Sequence, residues 1–275
     1  MFETDYPLTA AQIDFYRENG FVQLNDVVTP AELQRMRSAV TGAVMEEIEG
    51  DSRSFAQKSA YEQVFIQRIN LWARHKQLRE FMLSRRFGNI AARLSGYPVR
   101  IFHDHALYKE ARTGVRTPWH QDTHYWPHKQ KGHQLSLWLA MVDVPIESGC
   151  LAFMPRTHSL ANIAAVDLNK KAELRHTAPQ VKGRKAVCCP LRAGSCTFHN
   201  GLTFHYAGPN RSAALREGLA IIYMPDGTTY SGSPHVMNFE RFAVGDRLEG
   251  ELFPVVSDVR GLKTLETAAA LSFAH

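Results

Sequence analysis

Apolar residues recur at helical spacing through the first third of the chain and then break into short, closely punctuated runs. Thr9-Ala10-Ala11-Gln12 reads as a capping box, with Ile13 and Tyr16 following on one face and Gly20 suited to the C-cap. Phe21 to Leu24 reads as a short strand. Thr29-Pro30-Ala31-Glu32 is a stronger helix start, with Thr as cap, Pro at the first helical position and Glu at the third. Leu33, Met36, Val40 and Val44 carry that helix to about Ile48, with Gly50 beyond. A third helix is predicted from Gln77 to Leu94, with Leu78, Phe81, Met82, Ile90 and Leu94 inward. From Val99 the pattern changes to strands at Val99–Lys109, Gln134–Val144, Cys150–Met154, Ala186–Pro190, Ser195–His199, Thr203–Ala207 and Glu217–Met224, separated by Gly, Pro and Asn. Short strands at this spacing suggest a β-sandwich or jelly roll. The expectation is one domain over residues 1–275: a mainly helical part (1–98), a jelly-roll core (99–224) and a C-terminal extension (225–275). The stretch after Asp226 has two readings, a cover over a pocket or a contact in a homodimer.

Composition narrows the class. Hydrophobic residues make up 44% and charged residues 21% of 275, an ordinary globular balance that excludes collagen, coiled coil and wholesale disorder. The net charge of +5 is spread over scattered Lys and Arg with no basic run or interleaved aromatic motif, so no nucleic-acid partner is expected. No apolar run approaches the ~20 residues needed to span a bilayer, so no membrane partner is expected either. The opening Met1-Phe2-Glu3-Thr4-Asp5 lacks a signal-peptide pattern, and the four cysteines form neither a CxxC nor a disulfide framework. These features suggest a cytoplasmic protein with reduced thiols.

The candidate chemistry lies in the histidines. Among 13 of them, the densest stretch is Trp119-His120-Gln121-Asp122-Thr123-His124-Tyr125-Trp126-Pro127. In an extended segment residues i and i+2 point to the same side, so His120 and Asp122 can face one point. His199 and His205, flanking a second predicted strand, are the candidates for a third ligand. Two imidazoles and one carboxylate on one face of a metal leave three positions open, the facial arrangement of non-haem Fe(II) oxygenases. On spacing alone, however, His-x-Asp is also compatible with a structural histidine and a capping aspartate.

The stretch Trp119–Pro127 resembles the metal motif of the phytanoyl-CoA dioxygenase family of Fe(II)/2-oxoglutarate dioxygenases. Three later blocks are similar too: Leu137-Trp138-Leu139-Ala140-Met141-Val142-Asp143, Glu147-Ser148-Gly149-Cys150-Leu151 with Met154-Pro155-Arg156-Thr157-His158, and Phe198-His199 with His205, Gly208-Pro209-Asn210 and Arg216. The resemblance runs from about residue 9 to 224. It implies a double-stranded β-helix (jelly roll, cupin-like) of the α+β, mainly β class, with the N-terminal helices packed on one sheet. It implies His120, Asp122 and His205 as ligands of Fe(II), and Arg216 as the clamp for the far carboxylate of the co-substrate 2-oxoglutarate. A guanidinium fork matches a carboxylate with two parallel hydrogen bonds. Arg211, after Pro209-Asn210, is the competing arginine and is expected in an exposed turn. Trp138, His105 and Gln121 are implied as further co-substrate contacts. Where the family often has Ser two residues after the distal histidine, this chain has Ala207, so either Arg216 has another helper or the pocket is slightly different.

The implied reaction consumes O₂ and 2-oxoglutarate, releases succinate and CO₂, and hydroxylates an unactivated C–H bond. Asp122 argues against halogenation, because related halogenases carry Gly or Ala there. Desaturation, cyclisation and epimerisation begin with the same hydrogen abstraction and stay open. Trp119, His124, Tyr125, Trp126 and Lys109 are the candidate substrate contacts, and His103, Arg156 and Arg192 are candidate sources of positive charge. A small metabolite or natural product is the favoured substrate, ahead of a fatty acyl-CoA. The rival class is a cupin-type metal-binding module or isomerase without 2-oxoglutarate chemistry.

Overall fold

A computed structural model of the chain describes residue 2, residues 4–54, residue 57, and residues 65–160 and 179–265. Two helices begin as their capping signals predict. α1 (Ala10–Asn19) opens on the Thr9/Gln12 box and closes on Gly20 with φ 81°. α2 (Pro30–Glu49) opens on the Thr29/Glu32 box. Glu32 also receives two hydrogen bonds from the Arg86 guanidinium (2.8 and 2.9 Å), which ties the start of α2 to a later helix. That pairing holds the Glu32 carboxyl down at about 2.

The predicted third helix is broken. After α3 (Leu71–Arg74), the chain forms α4 (Arg79–Met82) and α5 (Arg85–Ser95), with Ser84 in an extended ψ of 127° between them. The physical reason is angular. At ~100° per residue, an unbroken helix would place Phe81 and Met82 on the side opposite Phe87, Ile90 and Leu94. All five are buried, and the break at Ser84 turns both sets toward one core.

The strands are β1 (Phe21–Leu24), β2 (Phe65–Ile69), β3 (Val99–Lys109), β4 (Thr117–His120), β5 (Leu135–Ala140), β6 (Leu151–Phe153), β7 (Val187–Cys189), β8 (Cys196–Asn200), β9 (His205–Ala207) and β10 (Arg216–Pro225). They form a six-stranded sheet in the order β1-β8-β5-β10-β3-β2 and a four-stranded sheet in the order β4-β9-β6-β7, all antiparallel. This is the expected jelly roll. β1 and β2, from the part expected to be mainly helical, extend the large sheet at its two edges.

Alternation along the strands creates two environments. Leu219, Ile221 and Tyr223 of β10 and Leu135, Leu137 and Leu139 of β5 join the core that includes Met36, Val40, Trp72, Phe87 and Ile90 of the helices. Their neighbours Arg216, Ala220 and Ile222, and Ser136 and Trp138, face the space between the sheets. Across β3 the inward set includes His103, His105 and Leu107, with Phe65, Gln67 and Ile69 of β2 beside them. The functional cavity is thus the inner face of the sheet whose outer face is the main core. Among the described residues, no helix is long and apolar enough to cross a membrane.

Gly149 marks a close backbone crossing. It has φ 77°, and a Cβ there would lie 2.2 Å from the carbonyl oxygen of Gly208. Gly149→Ala is expected to lower stability by about 1–3 kcal/mol, through backbone overpacking and a left-handed conformation alanine disfavours. Denaturant unfolding checks this; an unchanged midpoint would contradict the crossing.

Candidate active site

His120 closes β4 and His205 opens β9, and the two are direct cross-strand partners. That register brings the distant sequence blocks together, with ring centroids 4.1 Å apart. The chain turns into a short 3-10 segment at Asp122, but Gln121 between them is extended (φ −118°, ψ 129°). His120 and Asp122 therefore keep the common side expected of i and i+2.

Each side chain is held by a specific neighbour. The Nδ1–H of His120 donates to the Pro118 carbonyl oxygen (2.8 Å), and that of His205 to the Thr203 carbonyl oxygen (3.0 Å). These bonds fix the tautomers and leave both Nε2 lone pairs facing Asp122. Oδ1 of Asp122 is 3.4 Å from Nε2 of His120 and 3.5 Å from Nε2 of His205. Its other oxygen, Oδ2, accepts from the Ser136 hydroxyl (2.8 Å) and from Nε2 of His199 (3.1 Å). Three ligand atoms thus lie within 4.8 Å of one another. Donors bound at ~2.1 Å and at right angles would be about 3 Å apart, so the set needs only a small contraction to hold a divalent ion.

The electrostatics match that donor set. Burial would raise the Asp122 carboxyl, but the surrounding imidazoles of His205, His120 and His199 hold it well below the usual carboxylate range. Burial, reinforced by His120, keeps His205 neutral. A carboxylate beside a neutral imidazole is the protonation state a metal requires.

A cavity of about 520 Å³ opens on this centre. Arg216, buried, reaches into it from β10 and donates from Nη1 to the Gly149 carbonyl oxygen (2.7 Å). Its guanidinium lies 5.4 Å from the Trp138 ring. The indole of Trp138 lies flat on Gly218, where a Cβ would come within 2.3 Å of it. Arg211 is exposed, in the turn after Asn210, and is not among the cavity residues.

Of the other residues singled out in the sequence, His105, Trp138, His124, Tyr125 and Trp126 line the cavity. Three do not. Trp119 stacks on Tyr206 (5.3 Å) outside the cavity, because the residue before His120 in a strand faces the other way. Gln121 is turned aside for the same reason: its Nε2 donates to the Leu202 carbonyl oxygen and its Oε1 accepts from His124 (3.1 Å). Lys109 is buried and donates to the Gly208 carbonyl oxygen (2.8 Å); burial and the charge of Arg216 push its amine down to about 6. Arg156 pairs with Glu18 and Arg192 with Asp26 at the surface, so neither charges the cavity. Two residues were not foreseen, Ser136 and the outer-wall residue His235; their roles arise from strand register and from the chain beyond Asp226. Pro234, His235 and Val236 line the cavity, which makes the extension a wall of it.

The buried histidines carry a pH consequence. Burial pushes His105 and His235 down to about 4, His128 to about 3 and His103 well below its ordinary value. The unfolded chain binds those protons near pH 6.5, while the folded chain refuses them until the pH is far lower. Stability is therefore full above about pH 6.5 and falls as pH drops toward 4, by roughly 1 kcal/mol per pH unit for each such histidine. Denaturant midpoints at pH 7.5 and 5 check this; equal midpoints would contradict neutral buried imidazoles.

Comparison with known proteins agrees with the geometry. The family model for phytanoyl-CoA dioxygenase (PhyH) matches residues 16–218. The peroxisomal phytanoyl-CoA dioxygenase of Homo sapiens is 24% identical over 228 residues, spanning 78% of this chain and 67% of that protein. Among solved structures, the non-heme alpha ketoglutarate dependent carbocyclase SnoK from nogalamycin biosynthesis superposes with a TM-score of 0.79 at 30% identity, covering 90% of this chain and 96% of that one. The epimerase SnoN, in complex with Fe3+, alpha ketoglutarate and nogalamycin RO, superposes with a TM-score of 0.74 at 26% identity, covering 90% and 97%.

Proposed function

The chain belongs to the phytanoyl-CoA dioxygenase family, and from that premise we propose that it is an Fe(II)- and 2-oxoglutarate-dependent oxygenase hydroxylating an unactivated C–H bond of a small metabolite or natural product. The observation that carries this reading is the convergence of His120, Asp122 and His205 at one point of a cavity that also holds a buried arginine.

His120, Asp122 and His205 would hold the iron through Nε2, Oδ1 and Nε2. Ser136 and His199 keep the carboxylate turned so that Oδ1 stays toward the two imidazoles. Arg216 would take the far carboxylate of 2-oxoglutarate, with its guanidinium kept in place by the Gly149 carbonyl and the Trp138 ring. Trp138, unable to retreat past Gly218, forms a flat wall that excludes water beside the co-substrate. When bound, the iron and keto acid supply the oxidant: O₂ converts 2-oxoglutarate to succinate and CO₂, and the oxidising equivalents are used on the substrate C–H bond. The protein's part is placement, orientation of ligands and exclusion of solvent.

Acyl-CoA hydroxylation is the second reading, favoured by the relatives' name and by Phe65, Ile69 and Leu107 along the cavity wall. The neighbours titled carbocyclase and epimerase support a third outcome, in which the substrate radical closes a ring or inverts a centre. Incubation with Fe(II), 2-oxoglutarate, O₂ and a metabolite and natural-product library, reading succinate and product mass, separates them. A small molecule that stimulates succinate release at least tenfold more than phytanoyl-CoA, with the gain of one oxygen atom, is the expected result. Stimulation by the acyl-CoA alone would overturn the substrate reading, and a product with unchanged mass or two hydrogens fewer would overturn hydroxylation.

A further inference from the structure

In the cavity that Arg216 enters, three imidazoles lie in a nearly parallel stack. His103 and His105, two apart on the inner face of β3, have centroids 4.5 Å apart and planes 22° apart. His235, from the segment after β10, lies against His103 at 5.4 Å and 24°. All three line the cavity. Phe102 supports the stack, 4.4 Å from His103 and 5.2 Å from His235. The segment carrying His235 is anchored to the metal motif, since Ser231 N–H donates to the Pro127 carbonyl oxygen (2.9 Å).

Hydrogen bonds assign the protons. Gln67 Nε2 donates to Nδ1 of His105 (2.9 Å), and the Met237 N–H donates to Nδ1 of His235 (3.1 Å). The ring proton of each neutral imidazole therefore sits on Nε2. Nε2 of His105 and Nδ1 of His103 are buried without a hydrogen-bond partner. Burial is the main reason these rings stay neutral; at His103 the neighbouring imidazoles add to it, and at His105 the pull of Asp122 opposes it without offsetting it. Among the described residues lining the cavity, Arg216 is the single Lys or Arg, and the co-substrate carboxylate would occupy it.

We infer that His103, His105 and His235 form the recognition wall for the substrate, and that the substrate is an uncharged ring compound bearing a carbonyl, ether or hydroxyl oxygen. A neutral N–H is satisfied by such an oxygen, whereas a carboxylate or phosphate would lose its hydration with no cation to replace it. Flat imidazole faces, with Tyr125 and Trp126 on the same cavity, suit a ring better than a flexible chain. This inference rests on the oxygenase reading, because that reading places the co-substrate on Arg216.

The test uses the full chain with Fe(II) and 2-oxoglutarate under anaerobic conditions, and measures binding of xanthone, xanthone-2-carboxylate, palmitoyl-CoA and the oxygen-free hydrocarbon fluorene by calorimetry. Xanthone is expected to bind at least tenfold more tightly than its carboxylate or palmitoyl-CoA. His105→Leu is expected to remove at least tenfold of the xanthone affinity and leave that for fluorene unchanged, a difference a merely structural role would not produce. His235→Leu, outside the jelly-roll strands, serves as the second variant with the same expectation. No xanthone binding, equal binding of the anions, or unchanged xanthone affinity in both variants would overturn the inference. In parallel, the visible absorption of the Fe(II)–2-oxoglutarate complex is recorded. Its loss in His105→Leu alone would make that residue a co-substrate contact and overturn its role here, whereas its absence in the wild type would count against the oxygenase reading itself.

Discussion

Asp122→Ala is expected to abolish iron-dependent turnover while the protein stays folded. The carboxylate supplies the one anionic donor of the set, and among the described residues no other carboxylate joins the two Nε2 atoms in it. The variant leaves the Ser136 hydroxyl and the His199 N–H without their acceptor, a cost of about 1–3 kcal/mol that a domain of this size tolerates. Removing the supports should act differently from removing the ligand. Ser136→Ala and His199→Phe keep the donor set but free the carboxylate to rotate, with an expected loss of roughly 10–100-fold in iron affinity. Iron titration with circular dichroism checks both. Iron-dependent turnover in Asp122→Ala would contradict the ligand assignment, and unchanged iron affinity in both supporting variants would contradict the orienting role.

The second large effect concerns Arg216. Arg216→Ala should raise the 2-oxoglutarate requirement roughly 150–4,000-fold, corresponding to the ~3–5 kcal/mol lost when one partner of a buried charge pair is removed. Arg216→Lys should recover only part of this, because an ammonium group cannot copy the two parallel bonds of the fork or the stacking on Trp138. Arg211→Ala, in its exposed turn, should leave the requirement unchanged. Steady-state kinetics against 2-oxoglutarate decide the matter: a large effect at Arg211 with none at Arg216 would reverse the assignment.

The β-core was legible because β3, β5 and β10 alternate between a helix-facing and a cavity-facing set, and because Gly, Pro and Asn punctuate the strands. β2 escaped because Phe65-Ile66-Gln67-Arg68-Ile69 is a half-exposed edge strand with little alternation, and β4 because it is short and contains Pro118. The grouping of His120, Asp122 and His205 follows from the motif, whereas the spacing His-x-Asp alone left other meanings open. The outward placement of Trp119 and Gln121 follows from strand alternation, since residues flanking an inward histidine in extended chain point outward. The support of Asp122 by Ser136 and His199 was not readable. Ser136 and His199 are cross-strand partners in the β5/β8 register, a long-range pairing that no local pattern encodes. The same holds for the imidazole stack, where His235 joins His103 only after the chain has folded back beyond β10.

A ferrous ion on His120, Asp122 and His205, with 2-oxoglutarate extending to Arg216 in the same cavity, is what the proposed oxygenase requires. Anaerobic addition of Fe(II) and 2-oxoglutarate to the wild-type chain tests it most directly. The expected result is a weak visible absorption band that needs both components, is absent in Asp122→Ala and requires far more keto acid in Arg216→Ala. Iron binding with no band at any 2-oxoglutarate concentration would contradict it and favour a cupin-type metal protein.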